Sequence, residues 1–283
     1  MAGTVRYEAA EGVATLTLDR PRRLNTITPE LADDVRAALA QAEDDPDVRA
    51  VRLRGAGRAF CAGYDIEWGA QVMQDGEGDR PWDPMADLRQ MSRFVQDTYM
   101  ALWRSPKPVI AQVHGFCVGG GTDFALCSDL IVCAEDCRIG YPPARVWGSP
   151  TTAMWTYRLG LERSKRLLLT GDPIDGRTAV AWGLASEAVP AAEVEAAGLA
   201  LARRVARLPA SQLHAMKVLV NQAYEQMGLG VTQLIGTLLD GAARHTPEGV
   251  AFSRRALEDV RAAVAERDGP FGDYGQERPQ PGA

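Results

Sequence analysis

The chain has 283 residues and a formal net charge of −6, and 46% of its residues are hydrophobic against 24% charged. This balance is ordinary for a globular protein, and the length fits one large domain or a core with a small appendage. The acidic charge disfavours binding to nucleic acid, and every apolar run falls short of the ~20 residues that span a bilayer. We therefore expect neither a nucleic-acid partner nor a membrane.

The five cysteines are odd in number and lack paired ligands at metal-binding spacing, although Cys133 and Cys137 stand close together. We expect reduced, buried thiols and no metal site. The N-terminal segment MAGTVRYEAAEG has no apolar core of the kind found in signal peptides. A cytoplasmic protein is therefore predicted.

Alternating apolar residues predict strands at Val13–Leu18 and 48–53. Between them, Thr28 before Pro29 is a favoured helix N-cap, and an apolar face continues to about Glu43. Residues 55–64 form a glycine-containing loop, and 69–84, rich in Gly, Asp, Glu and Pro, are interpreted as a mobile surface loop.

Helical periodicity at 85–103 is followed by a short apolar strand at Val109–Val113, a helical pattern at 122–128 and another strand at 130–133. Strand and helix alternate at spacings that indicate stacked ββα units, and hence an α/β fold rather than an all-α one.

The character of the sequence changes near residue 191. Long helical patterns cover 199–208, 212–227 and 231–243, and a last helix is predicted after Thr246 and Pro247. We therefore expect a core at 1–190 and a helical C-terminal part at 191–283. The stretch 268–283 is rich in Gly and Pro and is predicted to be irregular.

Two glycine-containing segments attract attention as sites of chemistry. The first is FCAGYDI at 60–66, and the second is HGFCVGGGTD at 114–123, which lies between a strand and a helix. Glycines that open a helix allow close approach to the backbone and leave N–H groups that suit a developing negative charge. The same glycines could also serve only tight strand-to-helix packing. A dinucleotide-binding G-x-G-x-x-G or a P-loop Gly-Lys-Ser/Thr does not match.

The pairing of FCAGYDI with HGFCVGGGTDFALCSDLIVC resembles the crotonase (enoyl-CoA hydratase/isomerase) superfamily. Further matching segments occur in order: LDRPRRLNTIT, SPKPVIAQVHG, IGYPPARVW and RLLLTGDPIDGRTAVAWGLASEAVP. The similarity extends over about residues 5–265. It implies a spiral of ββα repeats with a helical C-terminal part that builds trimers, often paired into hexamers.

The resemblance also implies a site for an acyl-CoA or enoyl-CoA thioester, with coenzyme A as part of the substrate and no other cofactor. The two oxyanion-hole N–H groups are expected from Tyr64 and Gly120, with Gly119 beside them. Main-chain contacts to the CoA adenine are expected from Ala62, Gly63, Tyr64, Asp65 and Ile66. Arg22 and Arg23 resemble the basic residues that meet CoA phosphates, although a solvated turn is the alternative.

Hydratases of the family that the chain resembles use two glutamates, and this chain has a different residue at each of the two matching positions. The first position is Asp123, which keeps a carboxylate with a reach shorter by about 1.5 Å. It is expected to act as general acid/base, the alternative being a helix-terminal charge. The second position is Pro143, whose side chain cannot transfer a proton. Nearby polar groups that could compensate are Tyr141, Arg145 and Glu67, and Arg145 could instead hold a substrate carboxylate or form a surface ion pair.

Three hypotheses for function follow. The leading one is an enoyl-CoA hydratase-like enzyme. The second is another reaction of the superfamily, such as decarboxylation, isomerisation or thioester hydrolysis, of which decarboxylation needs no strong base. The third is a non-catalytic acyl-CoA-binding protein. His114, Asp129, Trp147 and Trp155 are expected to be mainly structural.

Overall fold

The computed structural model describes residues 3–76 and 83–274. Its strands are β1 (Val5–Ala10), β2 (Val13–Leu18), β3 (Ala50–Gly55), β4 (Ala59–Cys61), β5 (Val109–Val113), β6 (Phe116–Val118), β7 (Leu130–Ala134), β8 (Arg138–Gly140) and β9 (Glu187–Val189). Its α-helices are α1 (Pro29–Asp44), α2 (Ile66–Gly76), α3 (Pro84–Phe94), α4 (Met100–Arg104), α5 (Gly120–Leu126), α6 (Met154–Thr170), α7 (Gly176–Ala181), α8 (Val194–Ala206), α9 (Ala210–Gln226), α10 (Leu229–Arg244), α11 (Pro247–Glu258) and α12 (Val260–Asp268). Within these ranges no helix is both long and apolar enough to cross a membrane.

The strands of the described residues form two sheets. The larger has the order β1-β2-β3-β5-β7-β9, and only its β1–β2 pair is antiparallel. The smaller has the order β4-β6-β8 and is parallel. Along the chain, β3, β5 and β7 are each followed by a strand of the smaller sheet. The chain therefore advances in β–β units separated by helices, which confirms the predicted ββα spiral.

Helix α1 covers the larger sheet, as its sequence pattern predicts. Thr28 caps the helix by accepting a hydrogen bond from the backbone N–H of Leu31 at 3.4 Å. The apolar face that includes Leu31, Val35 and Leu39 is buried in the main core with the strands. Burial of this face, rather than helix propensity alone, stabilises the helix against the sheet.

The interpretation of 69–84 as a surface loop is wrong for the residues that the structure describes. Residues 66–76 form α2, and Pro84 begins α3, while 77–82 lie outside the described residues. Asp65 accepts a hydrogen bond from the N–H of Trp68 at 3.4 Å at the start of α2. Ala70 packs with Phe252 and Ala256 of α11. This tertiary packing outweighs a composition that is typical of loops.

The C-terminal helices are confirmed, although α8, α9 and α10 begin earlier than their sequence patterns suggest. Helix α8 packs on the larger sheet through Ala202 and Ala206, and Thr246 caps α11 as predicted. The division into a core at 1–190 and a helical part at 191–283 stays a prediction. After α12 the chain makes a short 3-10 turn at Gly269–Phe271, and 275–283 lie outside the described residues.

The glycine triplet allows α5 to begin directly against the end of β4. A Cβ atom on Gly121 would lie 2.2 Å from the carbonyl oxygen of Cys61 and 2.8 Å from its carbonyl carbon. Both of these are backbone atoms, so no rotamer change can relieve the overlap. Any side chain here must push the two motif segments apart.

We expect Gly121→Ala to lower the free energy of unfolding by on the order of 1–3 kcal/mol or more, because it overpacks a backbone contact. Gly230→Ala is the matched control, since a Cβ on Gly230 meets nothing within 4 Å. That variant is expected to be neutral or stabilising by up to about 1 kcal/mol, owing to the better helix propensity of alanine. Urea denaturation measures both changes, and equal stability of the two variants would contradict this account of the triplet.

Candidate active site

The first glycine motif is tied to the segment that precedes α1. The buried Asn25 side chain donates to the carbonyls of Ala56 at 2.9 Å and Ala59 at 2.8 Å. The Ile27 N–H donates to the Gly63 carbonyl at 2.8 Å. Together with the Ala62 and Asp65 N–H groups, which donate to Leu24 and Ile27, these bonds hold residues 62–65 beside the 24–27 segment.

Within the described residues, the backbone N–H of Tyr64 donates no hydrogen bond. The N–H of Gly120 is equally unpaired there, because Gly120 is the first residue of α5 and has no partner within the helix. The neighbouring Gly119 holds the turn with φ +55° and donates to the Gly140 carbonyl at 3.0 Å. The two expected oxyanion-hole donors are therefore both available.

The two segments approach closely. A Cβ on Gly63 would lie 2.9 Å from the Val118 carbonyl oxygen and 3.4 Å from the Gly120 nitrogen. A Cβ on Gly120 would lie 2.7 Å from a ring carbon of Tyr64. The segments that carry Tyr64 and Gly120 therefore lie against each other, and an oxyanion hole formed by their two N–H groups stays a prediction.

A largely apolar pocket opens at this point. Most of the expected site residues line it: Ala62, Gly63, Tyr64, Asp65, Ile66, Gly119, Gly120, Tyr141 and Pro143. Its apolar wall includes Trp68, Met91 and Phe94, and the Tyr64 ring meets the Phe94 ring edge-on at 5.3 Å between centroids. Trp147 also lines the pocket, whereas Trp155 is fully buried in the core.

Asp123 lies behind this surface rather than on it. Its side chain is 1% exposed and is absent from the pocket lining. Thr152 Oγ1 donates a short hydrogen bond of 2.5 Å to its Oδ1. Burial, opposed by the Thr152 hydrogen bond and assisted by the charge of Asp240, raises the pKa of Asp123 to about 7.

Three charged residues of the pocket, Asp240, Arg244 and Arg267, escaped the sequence analysis. Asp240 and Arg244 of α10 both line it, and their ion pair joins Asp240 Oδ2 to Arg244 Nε at 3.2 Å. They are the only charged residues in the sequence of α10, at the i, i+4 spacing of a helical ion pair. That isolated pair in an apolar helix was the available signal.

The structure contradicts both roles that were expected for Arg145. Its side chain is 1% exposed and absent from the pocket lining, so it forms neither a surface ion pair nor a contact for a substrate carboxylate. Its guanidinium pairs with Asp268 at 3.2 Å and with Asp273 at 2.5 Å. These carboxylates raise the pKa of Arg145, although its burial opposes them, and they anchor the segment after α12.

The two arginines expected to meet CoA phosphates lie on the exposed turn Pro21–Arg23, outside the pocket lining. Arg23 pairs with Glu67 at 3.1 Å, and both side chains are more than half exposed. Glu67 is also absent from the pocket lining, so the structure does not bring it to the site as a compensating acid.

The residues expected to be structural have structural contacts. His114 Nε2 is 2.9 Å from the Gly57 carbonyl oxygen, and Asp129 accepts from Val109 N–H and pairs with Lys217. The cysteines are free and buried. The described residues contain no cluster of His, Cys, Asp or Glu that could hold a metal ion.

The raised pKa of Asp123 makes its contribution to stability dependent on pH. The unfolded carboxylate releases its proton near pH 3.8 and the folded one near 7, so the stability of the wild type falls as pH rises between these values. Asp123→Asn removes that loss and keeps an acceptor for Thr152. At pH 8 we expect the variant to be more stable than the wild type by roughly 1–4 kcal/mol, at about 1.4 kcal/mol per pKa unit. At pH 4 the two should be nearly equal, and a difference that is the same at both pH values in urea denaturation would contradict a buried neutral carboxyl.

Comparison with known proteins agrees with this geometry. A family model described as enoyl-CoA hydratase/isomerase matches residues 8–240. A putative enoyl-CoA hydratase of Thermus thermophilus is 32% identical, covering 92% of this chain and 97% of that protein. The 1,2-epoxyphenylacetyl-CoA isomerase of Escherichia coli is also 32% identical, over 92% and 95% of the two chains. A crystal structure of an enoyl-CoA hydratase from Mycobacterium smegmatis superposes with a TM-score of 0.91 at 43% identity, covering 96% of this chain and 95% of that one. The chain belongs to the enoyl-CoA hydratase/isomerase family, the crotonase superfamily that its motifs resemble.

Proposed function

We propose that the chain is an acyl-CoA enzyme that hydrates enoyl-CoA thioesters. The observation that carries this proposal is the pair of unpartnered N–H groups, from Tyr64 and Gly120, beside an apolar pocket. An apolar pocket accommodates an acyl chain, and two convergent donors suit the thioester oxygen at its end.

The two donors act on charge that develops during the reaction. When water adds to Cβ of an enoyl thioester, the electron pair of the double bond moves onto the thioester oxygen as an enolate. Donors already fixed by the backbone stabilise that oxygen without reorganising. Loss of one such donor typically costs ~2.7–4 kcal/mol of barrier.

Asp123 is the proposed general acid/base. The residue keeps a carboxyl group behind Gly120, and its pKa of about 7 provides a proton at neutral pH. Pro143 lines the pocket at the other family position and contributes only apolar surface.

The coenzyme A moiety is proposed to bind along the main chain of 62–66 and beside Gly119 and Tyr141, all of which line the pocket. Arg22 and Arg23 are the proposed contacts for its phosphates. Both are exposed cations, and they directly precede the 24–27 segment that binds the backbone of residues 62–65. No cofactor besides the CoA of the substrate is proposed.

Self-association is proposed on the basis of exposed apolar side chains on α9, on α10 and on the turn between them. Large apolar surface of this kind is uncommon on a monomer and is typical of interfaces. We propose a homotrimer, alone or paired into a hexamer, in the cytoplasm. The side chains concerned are Leu219, Val220, Met227, Val231, Leu234, Ile235, Leu238 and Leu239.

Hydration of crotonyl-CoA, followed by the loss of the conjugated-thioester absorbance, tests the proposed reaction. We expect turnover by the wild type and a decrease of 10²- to 10⁴-fold in kcat for Asp123→Asn, the usual contribution of a general acid/base. Binding of the saturated butyryl-CoA should be unchanged in the variant. Unchanged binding would show that the variant is folded.

Three other results would contradict parts of the proposal. Full activity in the variant would remove Asp123 from the reaction. A wild type that binds butyryl-CoA but does not hydrate crotonyl-CoA would exclude hydration and favour decarboxylation of malonyl-type esters or thioester hydrolysis. Absence of binding to any CoA thioester at millimolar concentration would contradict an acyl-CoA function altogether.

A further inference from the structure

The pocket lining contains two carboxylates among the described residues, Asp65 and Asp240. Asp65 is engaged by its own motif, because Arg20 and Thr26 both bind its Oδ2, at 3.2 and 3.1 Å. Asp240 is the remaining carboxylate that faces the acyl site. It is carried by α10, far from both glycine motifs in the sequence.

We propose that Asp240 is a second catalytic carboxylate of this enzyme and supplies, from α10, the base that Pro143 cannot provide. The inference rests on the acyl-CoA function proposed above. It assigns the chemistry of the missing family acid to a residue on a different element.

One oxygen of Asp240 is fixed and the other is available. Oδ1 accepts a hydrogen bond from the Ser149 N–H at 3.1 Å. Oδ2 is 3.2 Å from Arg244 Nε, yet that nitrogen has no hydrogen-bond partner, so the contact is an ion pair without hydrogen-bond geometry. In the described part of the chain nothing else donates to Oδ2, which leaves it able to accept a proton.

A single short segment connects Asp240 with both family positions. Ser149 donates to Asp240, and Thr152 donates to Asp123. The same segment follows the turn that contains Pro143, against whose Cβ a side chain on Gly148 would lie at 2.8 Å. Residues 148–152 therefore hold the two carboxyls and Pro143 in one neighbourhood.

The electrostatic surroundings give the two carboxyls different roles. Burial raises the pKa of Asp240, but the Arg244 guanidinium opposes the rise and favours its ionised form. Asp123 has no such cation, and the negative charge of Asp240 helps to keep it protonated. Burial raises the pKa of both carboxyls, and the position of Asp240 in the pocket lining beside a cation favours it as the base, with the more buried Asp123 as the acid. The other charged or titratable groups around the pair are Asp87, Tyr64 and Tyr141.

The hydration then balances as follows. A water O–H bond breaks, its proton goes to the Asp240 carboxylate, and its oxygen bonds to Cβ of the enoyl thioester. The electron pair of the double bond moves to the thioester oxygen, and the enolate takes a proton at Cα from the neutral Asp123. A proton then passes from Asp240 to Asp123, which restores both groups and leaves a 3-hydroxyacyl thioester.

A purely structural role for Asp240, holding Arg244 in place, is the competing explanation. Asp87 provides the matched control, because it pairs with the same guanidinium at 3.3 Å and does not line the pocket. If Asp240 only positions Arg244, the removal of Asp240 and the removal of Asp87 should affect the activity similarly.

The test uses the full-length protein with Asp240→Asn, Asp240→Ala and Asp87→Asn. For each we would measure crotonyl-CoA hydration, exchange of the Cα protons of butyryl-CoA in deuterium oxide, and the Kd for butyryl-CoA. Asn is isosteric with Asp and keeps the acceptor for Ser149. We expect Asp240→Asn to lose at least 100-fold in kcat with KM and Kd changed by less than about 3-fold, and Asp87→Asn to stay within a few-fold of the wild type.

Proton exchange and chemical rescue separate catalysis from positioning. We expect Asp240→Asn to lose hydration but to retain the Cα exchange, which depends on Asp123, and sodium formate to restore hydration several-fold in Asp240→Ala without accelerating the wild type. Equal losses in Asp87→Asn and Asp240→Asn, without rescue by formate, would overturn the proposal.

A wild type that binds butyryl-CoA but catalyses neither exchange nor hydration would overturn the role of Asp240 and leave acyl-CoA binding intact. Failure to bind butyryl-CoA would overturn the proposed function itself, so the two failures are distinguishable.

Discussion

The backbones of two segments meet at Gly63 and Gly120 so closely that a side chain on either would overlap neighbouring atoms. The bonds from the 24–27 segment fix the first backbone, and the tight turn at Gly119, followed by the start of α5, fixes the second. These bonds use the neighbouring groups, and within the residues that the structure describes they leave the N–H groups of Tyr64 and Gly120 unpaired. The contact therefore provides two donors that a ligand can satisfy. The roles proposed for the apolar pocket and for the carboxyls depend on that pair of donors.

The proposed acid–base groups come from different parts of the chain. Asp123 is the second residue after the glycine triplet, whereas Asp240 reaches the pocket from the C-terminal helices. Segment 148–152 links them, and the buried position of Asp123 beside the charge of Asp240 keeps its pKa near neutrality. A chain that lacks an acid at Pro143 can in this way retain two carboxyls at one site.

Much of the fold and part of the site could be predicted from the sequence, for identifiable reasons. The capping threonines at 28 and 246 and the glycine motifs are local signals, and the structure confirms the helices and the close approach that they indicate. Helix α2 could not be predicted, because its loop-like composition is outweighed by packing against α11. Arg145 and Asp240 were misjudged or missed because the partners that define their roles, Asp273 and the residues of segment 148–152, are distant in the sequence.

The most direct test of the central claim is the infrared difference spectrum of butyryl-CoA, labelled with ¹³C at the thioester carbonyl, bound to the wild-type protein. If the N–H groups of Tyr64 and Gly120 both donate to the thioester oxygen, the carbonyl stretching frequency falls below its value in water, since the bond is polarised toward the enolate. A frequency at or above the value in water, as expected for a carbonyl in an apolar pocket without donors, would contradict the oxyanion hole on which this account depends.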